Sequence, residues 1–497
     1  MWEPLPCGDL LADSHAGRSP HGSGSHIEVL VRSKWELQLV QRVIMILTID
    51  CGSTNLKAAL FDEQLRRLAE SSVPLVYSVR DAERAEFDAE EFWRAVVTLI
   101  QKLRPSSPID TVALTSQAQT FTIVDARGRP RMPFLSWMDK RAVAESDEMQ
   151  AKLGADLHRH CSFAPHVPQL FSCKLLWVQR HRADVLTNDA QVVSLPEFVA
   201  LRLAGVRAVD RNLAAMSGLY SLARDGWWKE ALELCGIREQ QMGKLVDVGA
   251  SINGHRAADD LPLARDLKVV FAGNDQTSGA FCTIGRTGGL VLTLGTALVV
   301  YRYAGEKPGP FSPGGCWGPY PGGGYYELAT RDEGCNALDW ASNELLPGKD
   351  TPAFIKLAEA APAGKSLFFP HRIRTDRAWF GDASQAARAR AVVEGISFSA
   401  RRLIVEDLRV VFRDQPLLVI GGGSKSDFWL QMLADVLNYP VRRGGGDNLL
   451  GSALMQRATA VSVREAGSGA VFRPSSERVS QYDALYEIWR KQVDGGN

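Results

Sequence analysis

The stretch Ile44-Met45-Ile46-Leu47-Thr48-Ile49-Asp50-Cys51-Gly52-Ser53-Thr54-Asn55-Leu56-Lys57-Ala58-Ala59-Leu60-Phe61 decides how the rest of the chain is read. Two apolar runs rich in strand formers flank five small or polar residues, which is the pattern of a β-hairpin. The spacing predicts strands over 44–49 and 56–61, joined by the turn 51–55. A similar arrangement begins at Leu290-Val291-Leu292-Thr293-Leu294, turns at Gly295-Thr296 and resumes at Ala297–Tyr303, with Gly295 lying 243 residues beyond Gly52. That separation is far too long for a solenoid repeat. It points to two similar mixed α/β domains, each giving one small-residue turn to a cleft between them.

Working outward, a third strand is predicted over 68–76. Asp88 is placed to cap a helix whose Phe92, Val96, Leu99, Ile100 and Leu103 share one face. Further strands follow at 111–115 and 121–124, and then a largely helical stretch from 139 to 240 that includes Leu170–His181. Val269–Ala272 reads as a strand ending at Gly273-Asn274-Asp275-Gln276, residues 384–412 as helical, and Leu417–Ile420 as a buried strand running into Gly421-Gly422-Gly423. A helix is predicted over Ser424–Leu437, with Ser424 and Asp427 spaced as a capping box. Residues 1–42 read as a tail or mis-called extension, with a short helix near 27–42 and Met45 as the true start; a genuine N-terminal arm is the alternative.

Composition bounds the function. The chain has 497 residues with 57 basic and 57 acidic side chains, so no basic excess favours nucleic acid or a membrane surface. Its 8 cysteines form no CxxC pair, which suits a reducing cytoplasm better than a disulfide framework. No apolar run reaches the roughly 18–20 residues a membrane helix needs.

Four segments carry candidate chemistry, and each also has a plain structural reading. Asp50, at a strand end, can hold Mg²⁺ through water, while Gly52, Ser53, Thr54, Asn55 and Lys57 can meet phosphate oxygens; an ordinary turn is the alternative. Gly295-Thr296 reads the same way more weakly. Gly421-Gly422-Gly423-Ser424 leaves backbone room for a flat ring or ribose, or is a tight strand-to-helix turn. Asp275 can take a proton from an attacking hydroxyl, or can cap a helix. His158, His160, Cys161 and His166 do not match a structural zinc spacing. Trp227-Trp228 reads as packing, and Arg401-Arg402 as a solvated helix face.

In this order and spacing the four segments resemble the FGGY family of carbohydrate kinases, from about residue 45 to 465. Ile49–Lys57 looks like the family's first phosphate loop, Leu292–Thr296 its second, and Gly421–Trp429 its adenosine loop. Lys174-Leu175-Leu176-Trp177 fits its K-x-x-W segment. The resemblance implies two ribonuclease H-like domains of the actin/hexokinase type closing around ATP and a sugar. It implies a sugar-binding domain over 43–265, a nucleotide-binding domain over 266–465 and a C-terminal segment 466–497 packed on the latter. Asp275 would be the general base and, with Asp50, would serve Mg²⁺. Gln117, Ala118, Gln119, Trp137, Asp139, Asp275 and Gln276 would meet the substrate. Gly52, Ser53, Thr54, Asn55, Lys57, Gly295, Thr296, Gly421, Gly422, Gly423, Ser424 and Asp427 would meet the nucleotide.

Substrate signals diverge. Gln117-Ala118-Gln119 stands where xylulokinases have Gln-Met-His, and glycerol kinases have Arg-Glu at the positions of Ala118-Gln119. Asp275-Gln276 is similar to glycerol kinases, and Lys174–His181 to xylulokinases. A ketose such as xylulose is expected, with glycerol or another polyol second. A catalytically silent sugar sensor and a partner-driven ATPase are the readings from other classes, and retention of Asp50, Asp275 and all three loops argues against the sensor. A homodimer is left open beside a monomer.

Overall fold

In the computed structural model the described residues are 27–31, 37–41 and 44–495, apart from 162–164, 259, 287, 308–311, 313–314, 349, 374, 376, 383, 413–414 and 457–468. Residues 1–26 and Cys7 lie outside them. Ile27–Val31 and Leu37–Gln41 pair antiparallel, so the segment expected to include a short helix forms a two-stranded ribbon instead. Residues 45–497 form a separate compact unit.

That unit is built on two sheets laid out alike. The first has the order 251–255, 263–274, 109–116, 46–51, 55–61, 67–74. Strands Ile46–Cys51, Ile109–Ser116 and Leu263–Asn274 run parallel, while Asn55–Phe61 and Arg67–Pro74 continue antiparallel at one side. The second sheet has the order 316–319, 325–331, 298–305, 290–294, 417–420, 441–443, 471–472. Here Leu290–Leu294, Leu417–Ile420 and Val441–Arg443 are parallel, and Leu298–Gly305 and Tyr325–Arg331 antiparallel. Counting five strands along each half of the chain gives the spatial order 3-2-1-4-5 twice.

The local reasons are plain. Ile46–Cys51 is buried on every residue, as a central strand covered on both faces must be, and its continuous apolar run supplies that cover. Helix Ala89–Leu103 starts at Asp88, whose carboxylate accepts from Glu90 N and Glu91 N, and it buries Phe92, Val96, Leu99, Ile100 and Leu103 against the first sheet. In the second half, helices Gln385–Arg401 and Asp427–Leu437 bury Val392, Ile396, Trp429 and Leu433 in one core with the strands of the second sheet. The C-terminal helix Ser476–Asp494 inserts Tyr482, Tyr486 and Trp489 into the same core.

Some boundaries move. The third strand is Arg67–Pro74. Short strands at 191–194, 208–210, 220–221 and 226–227 interrupt the stretch expected to be mostly helical. Residue 265, placed from sequence at the end of the first domain, falls inside strand Leu263–Asn274, which pairs with Ile109–Ser116 in the first sheet. The helix after 384 changes to a π-helical turn at Arg402–Asp407 and stops. Arg401 and Arg402 are not a solvated face: Arg401 pairs with Asp483 and lies over Tyr486, and Arg402 pairs with Asp494, all on the C-terminal helix.

The two halves meet where helix Asp275–Ile284 crosses helix Asn448–Met455. Small residues permit the approach: Ser278 Oγ lies 3.2 Å from Ser452 Oγ, and a Cβ on Gly451 would sit 2.0 Å from the Ser278 carbonyl oxygen. A backbone oxygen cannot step aside as a flexible side chain can. Gly451→Ala is therefore expected to cost about 1–3 kcal/mol or more by overpacking, read as a lower melting temperature. An unchanged melt would remove this crossing as a packing constraint.

Candidate active site

Because the parallel strands of each sheet share a direction, their C-terminal ends share an edge, and the candidate segments lie at those ends. Asp50 is the penultimate residue of Ile46–Cys51, and Asp275 follows Leu263–Asn274 directly. Gly295 follows Leu290–Leu294, and Gly421 follows Leu417–Ile420 in the neighbouring parallel strand.

Each turn is held from outside. Tyr77 Oη donates to the Ser53 carbonyl at 3.0 Å, and Leu75 N to the Thr54 carbonyl at 2.9 Å, leaving the Thr54 and Lys57 side chains exposed. At the second turn the N-terminus of helix Cys335–Leu345 supplies the support: Cys335 N donates to Gly295 O at 2.7 Å and Asn336 N to Thr296 O at 3.1 Å. Thr296 is exposed at the tip. The third loop leans on the second. Gly421 has φ +92°, and a Cβ there would meet Leu294 O at 2.6 Å, so only glycine suits the position. Gly422, by contrast, faces open space.

Two caps differ from expectation. Asn274, not Asp275, caps helix Asp275–Ile284, its Oδ1 accepting from Thr277 N at 2.8 Å. The Asp275 carboxylate is thereby released from capping duty. Ser426, not Ser424, caps Asp427–Leu437; Ser424 sits in the single turn Gly422–Lys425 and donates back to Gly421 O at 2.7 Å. Asp427 is exposed and pairs with Arg443.

Burial raises the Asp275 carboxyl to about 7, and the charge on nearby Asp50 adds to the rise. Asp50 itself is pushed up to about 6 by burial, opposed by the Asn448 amide and the charge of Lys57. Asp50 Oδ1 is buried and has no hydrogen-bond partner among the described residues. The backbone around Asp275 is fixed by Asn212, whose Oδ1 accepts from Asn274 N at 3.0 Å, and by Thr115, which donates to Gly273 O at 2.9 Å.

The residues assigned from sequence to the substrate wall divide into two groups. Gln117 lies beside the first turn, with Nε2 3.4 Å from Gly52 O and Oε1 without a partner among the described residues. Ala118 is half-buried, Trp137 is 44% exposed, and Gln276 is half-buried beside Asp275. The side chains of Gln119 and Asp139 are instead engaged by other protein groups. Gln119 Oε1 accepts from Phe171 N at 2.7 Å and its Nε2 donates to Met216 O. Asp139 is fully buried, accepting from Ala85 N at 2.8 Å and pairing with Arg141 through both oxygens. Lys174, of the K-x-x-W segment, is also fully buried; its Nζ ties Gln119 O at 2.7 Å to Ser136 O at 2.6 Å, and burial lowers it to about 7. Sequence reasoning missed Thr115, Asn212 and Asn448. Only Asn448 carried a local signal, the Asp447-Asn448 pair preceding an apolar run. His160 bonds Ser221 Oγ at 2.7 Å and stacks on Trp228 as a core histidine.

Duplicated sheets with glycine-bearing turns at their parallel strand ends, and two aspartates at the ends of the first, make a two-domain α/β fold of the actin/hexokinase type. The chain belongs to the FGGY family of carbohydrate kinases: the N-terminal domain of that family matches residues 45–282 and the C-terminal domain residues 290–460. A xylulose kinase of Klebsiella pneumoniae is 27% identical over 490 residues, covering 90% of this chain and 98% of its own. A gluconokinase of Bacillus subtilis is 23% identical over 80% of this chain and 83% of its own. Among solved structures, a xylulose kinase from Lactobacillus acidophilus superposes with a TM-score of 0.81 at 21% identity, covering 91% of this chain and 98% of that one. Plasmodium falciparum glycerol kinase with ADP gives 0.80 at 18% identity over the same shares. The protein is an ATP-dependent phosphotransferase with an alcohol group of a small carbohydrate as acceptor. Among the described residues no helix is long and apolar enough to cross a membrane.

A Cβ added at Gly422 would meet nothing within 4 Å, and the backbone there is not left-handed, so Gly422→Val is expected to fold normally. On the expectation from sequence that this loop meets the nucleotide, its side chain would fill that space, and ATP affinity measured by calorimetry is expected to fall at least tenfold. Unchanged affinity in the folded variant would move the nucleotide elsewhere.

Proposed function

We propose that the protein phosphorylates a ketose of the xylulose class, with Asp275 as general base and the three glycine loops as the ATP cradle. The observation that carries the reading is the exit of Asp275 from a parallel strand end beside Asp50, its carboxylate not used as the helix cap, on the edge where the first turn also lies. The xylulose kinase relatives aligned over nearly their whole length support the acceptor. The match of Asp275-Gln276 to glycerol kinases keeps a polyol as the second acceptor to test.

Phosphoryl transfer depends on alignment and charge neutralisation more than on covalent chemistry. Backbone N–H groups at Gly52–Asn55 and Gly295–Thr296 would meet the phosphate tail, with Thr54, Thr296 and Lys57 free to reach it. Asp275 would accept the hydroxyl proton as the oxygen attacks. A base that titrates near 7 is matched to that task at neutral pH. Closure of the halves would keep water from competing with the sugar.

The residues also fit Mg²⁺. Asp50 keeps one buried oxygen unpartnered, and among the described residues no cluster of three or more ligating side chains forms, as suits a cation held by one or two carboxylates, water and phosphates. Asp50 and Asp275 would hold it, and when bound it would neutralise charge on the phosphates.

A coupled ADP-release assay across ketoses and polyols tests the acceptor; xylulose is expected to give the highest kcat/KM, and sugar-independent ADP release would sink the kinase reading. Asp275→Ala is expected to lower kcat about 10³-fold while ATP still binds. Below about pH 7 a growing fraction of Asp275 is protonated and cannot accept, so kcat/KM is expected to fall with pH towards a tenfold loss per unit. A profile flat from pH 5 to 8 would exclude a base titrating there.

A further inference from the structure

The N-terminus of helix Asn448–Met455 arrives behind the two carboxylates, although it belongs to the second half of the chain. Asp447 caps it, Oδ1 accepting from Leu449 N and Leu450 N at 3.0 Å each. The other Asp447 oxygen pairs with Arg67, on the edge strand of the first sheet. Asn448 comes next and touches both acid-bearing elements. Its Nδ2 donates to Asp50 Oδ2 at 3.2 Å. Its Oδ1 lies against Gly279 of helix Asp275–Ile284, where a Cβ would come within 2.6 Å of it.

Asp50 is thus held by one oxygen while Oδ1 stays buried and unpartnered among the described residues. A carboxylate fixed at one oxygen has its rotation set, so the free oxygen points one way. The direction is supplied by the opposite half of the molecule, and it is coupled to the helix crossing through Ser278, whose hydroxyl meets both Thr115 Oγ1 at 3.1 Å and Ser452 Oγ at 3.2 Å.

We propose that Asn448 is a positioning residue for phosphoryl transfer: its amide orients the Asp50 carboxylate towards a hydrated divalent cation and makes that orientation depend on the seating of the two halves. The proposal rests on the reading of Asp50 given above.

The test uses the full chain and the variants Asn448→Ala, Gly279→Ala and their double. Gly279→Ala leaves Asn448 in place but adds a methyl that its flexible amide must swing away from; beyond Asn448 that methyl meets nothing within 4 Å outside its own helix. With alanine at 448 the conflict vanishes. The first readout is the Mg²⁺ concentration giving half of the thermal stabilisation produced by saturating ADP, which needs no turnover. The second is the split between kcat and the KM for sugar.

Each single variant is expected to raise the Mg²⁺ midpoint about tenfold and to lower kcat while leaving sugar KM within about twofold. The double is expected to match Asn448→Ala alone, because both changes break one hydrogen bond. A wild-type midpoint in Asn448→Ala, or a double variant showing the sum of the two effects, overturns the positioning role. Absence of Mg²⁺-dependent ADP stabilisation in the unmodified protein overturns the reading of Asp50, and the positioning role with it.

Discussion

Parallel pairing is the constraint on which the rest of this molecule depends. Strands Ile46–Cys51, Ile109–Ser116 and Leu263–Asn274 must all end on one side of the first sheet, and Leu290–Leu294 and Leu417–Ile420 on one side of the second. Backbone groups at such ends have no further ladder partner and must find ligands, caps or water. Small residues at 52–54, 295–296 and 421–423 keep those groups accessible. Neighbouring elements hold each turn from behind, through Tyr77 and Leu75 at the first and the start of helix Cys335–Leu345 at the second. The reactive edge is a product of strand direction before any side chain contributes.

Charge is the second constraint. Burial resists ionisation, and it raises both Asp50 and Asp275, with the charge on Asp50 adding to the rise at Asp275. Relief comes from the Asn448 amide and from the exposed charge of Lys57. Gln276 N donates to Asp275 Oδ1 at 2.8 Å, while Asp50 Oδ1 has no partner among the described residues. Asp139 shows the opposite treatment in the same half: Arg141 pairs with both of its oxygens, and Lys174 nearby ties Gln119 O to Ser136 O.

What could be read beforehand follows the range of the interactions concerned. Both hairpins, the Asp88 cap and the Leu170–His181 helix were legible because strand period, turn residues and helical facing are written in consecutive positions. The caps slipped by one or two residues, to Asn274 and Ser426, since the choice depends on where the preceding strand releases its last backbone bond. Gln119 and Asp139 were assigned to the substrate by resemblance, yet their partners Phe171, Met216 and Ala85 are brought up by remote segments. The pairing of Asn448 with Asp50 is hidden for the same reason: Asp447-Asn448 marks a helix start locally, but 398 positions separate Asn448 from Asp50, and the crossing of the two halves joins them.

The duplicated sheets are elaborated unequally. In the first half the long additional segment lies between the fourth and fifth strands and carries Trp137, Lys174 and a core of its own; in the second half it lies between the third and fourth and adds to the core behind residues 421–423. Neither insertion interrupts a strand that delivers a glycine turn. Either segment can therefore lengthen or change sequence without displacing a glycine turn, because each hangs from its sheet at two strand junctions and leaves the strand order 3-2-1-4-5 untouched.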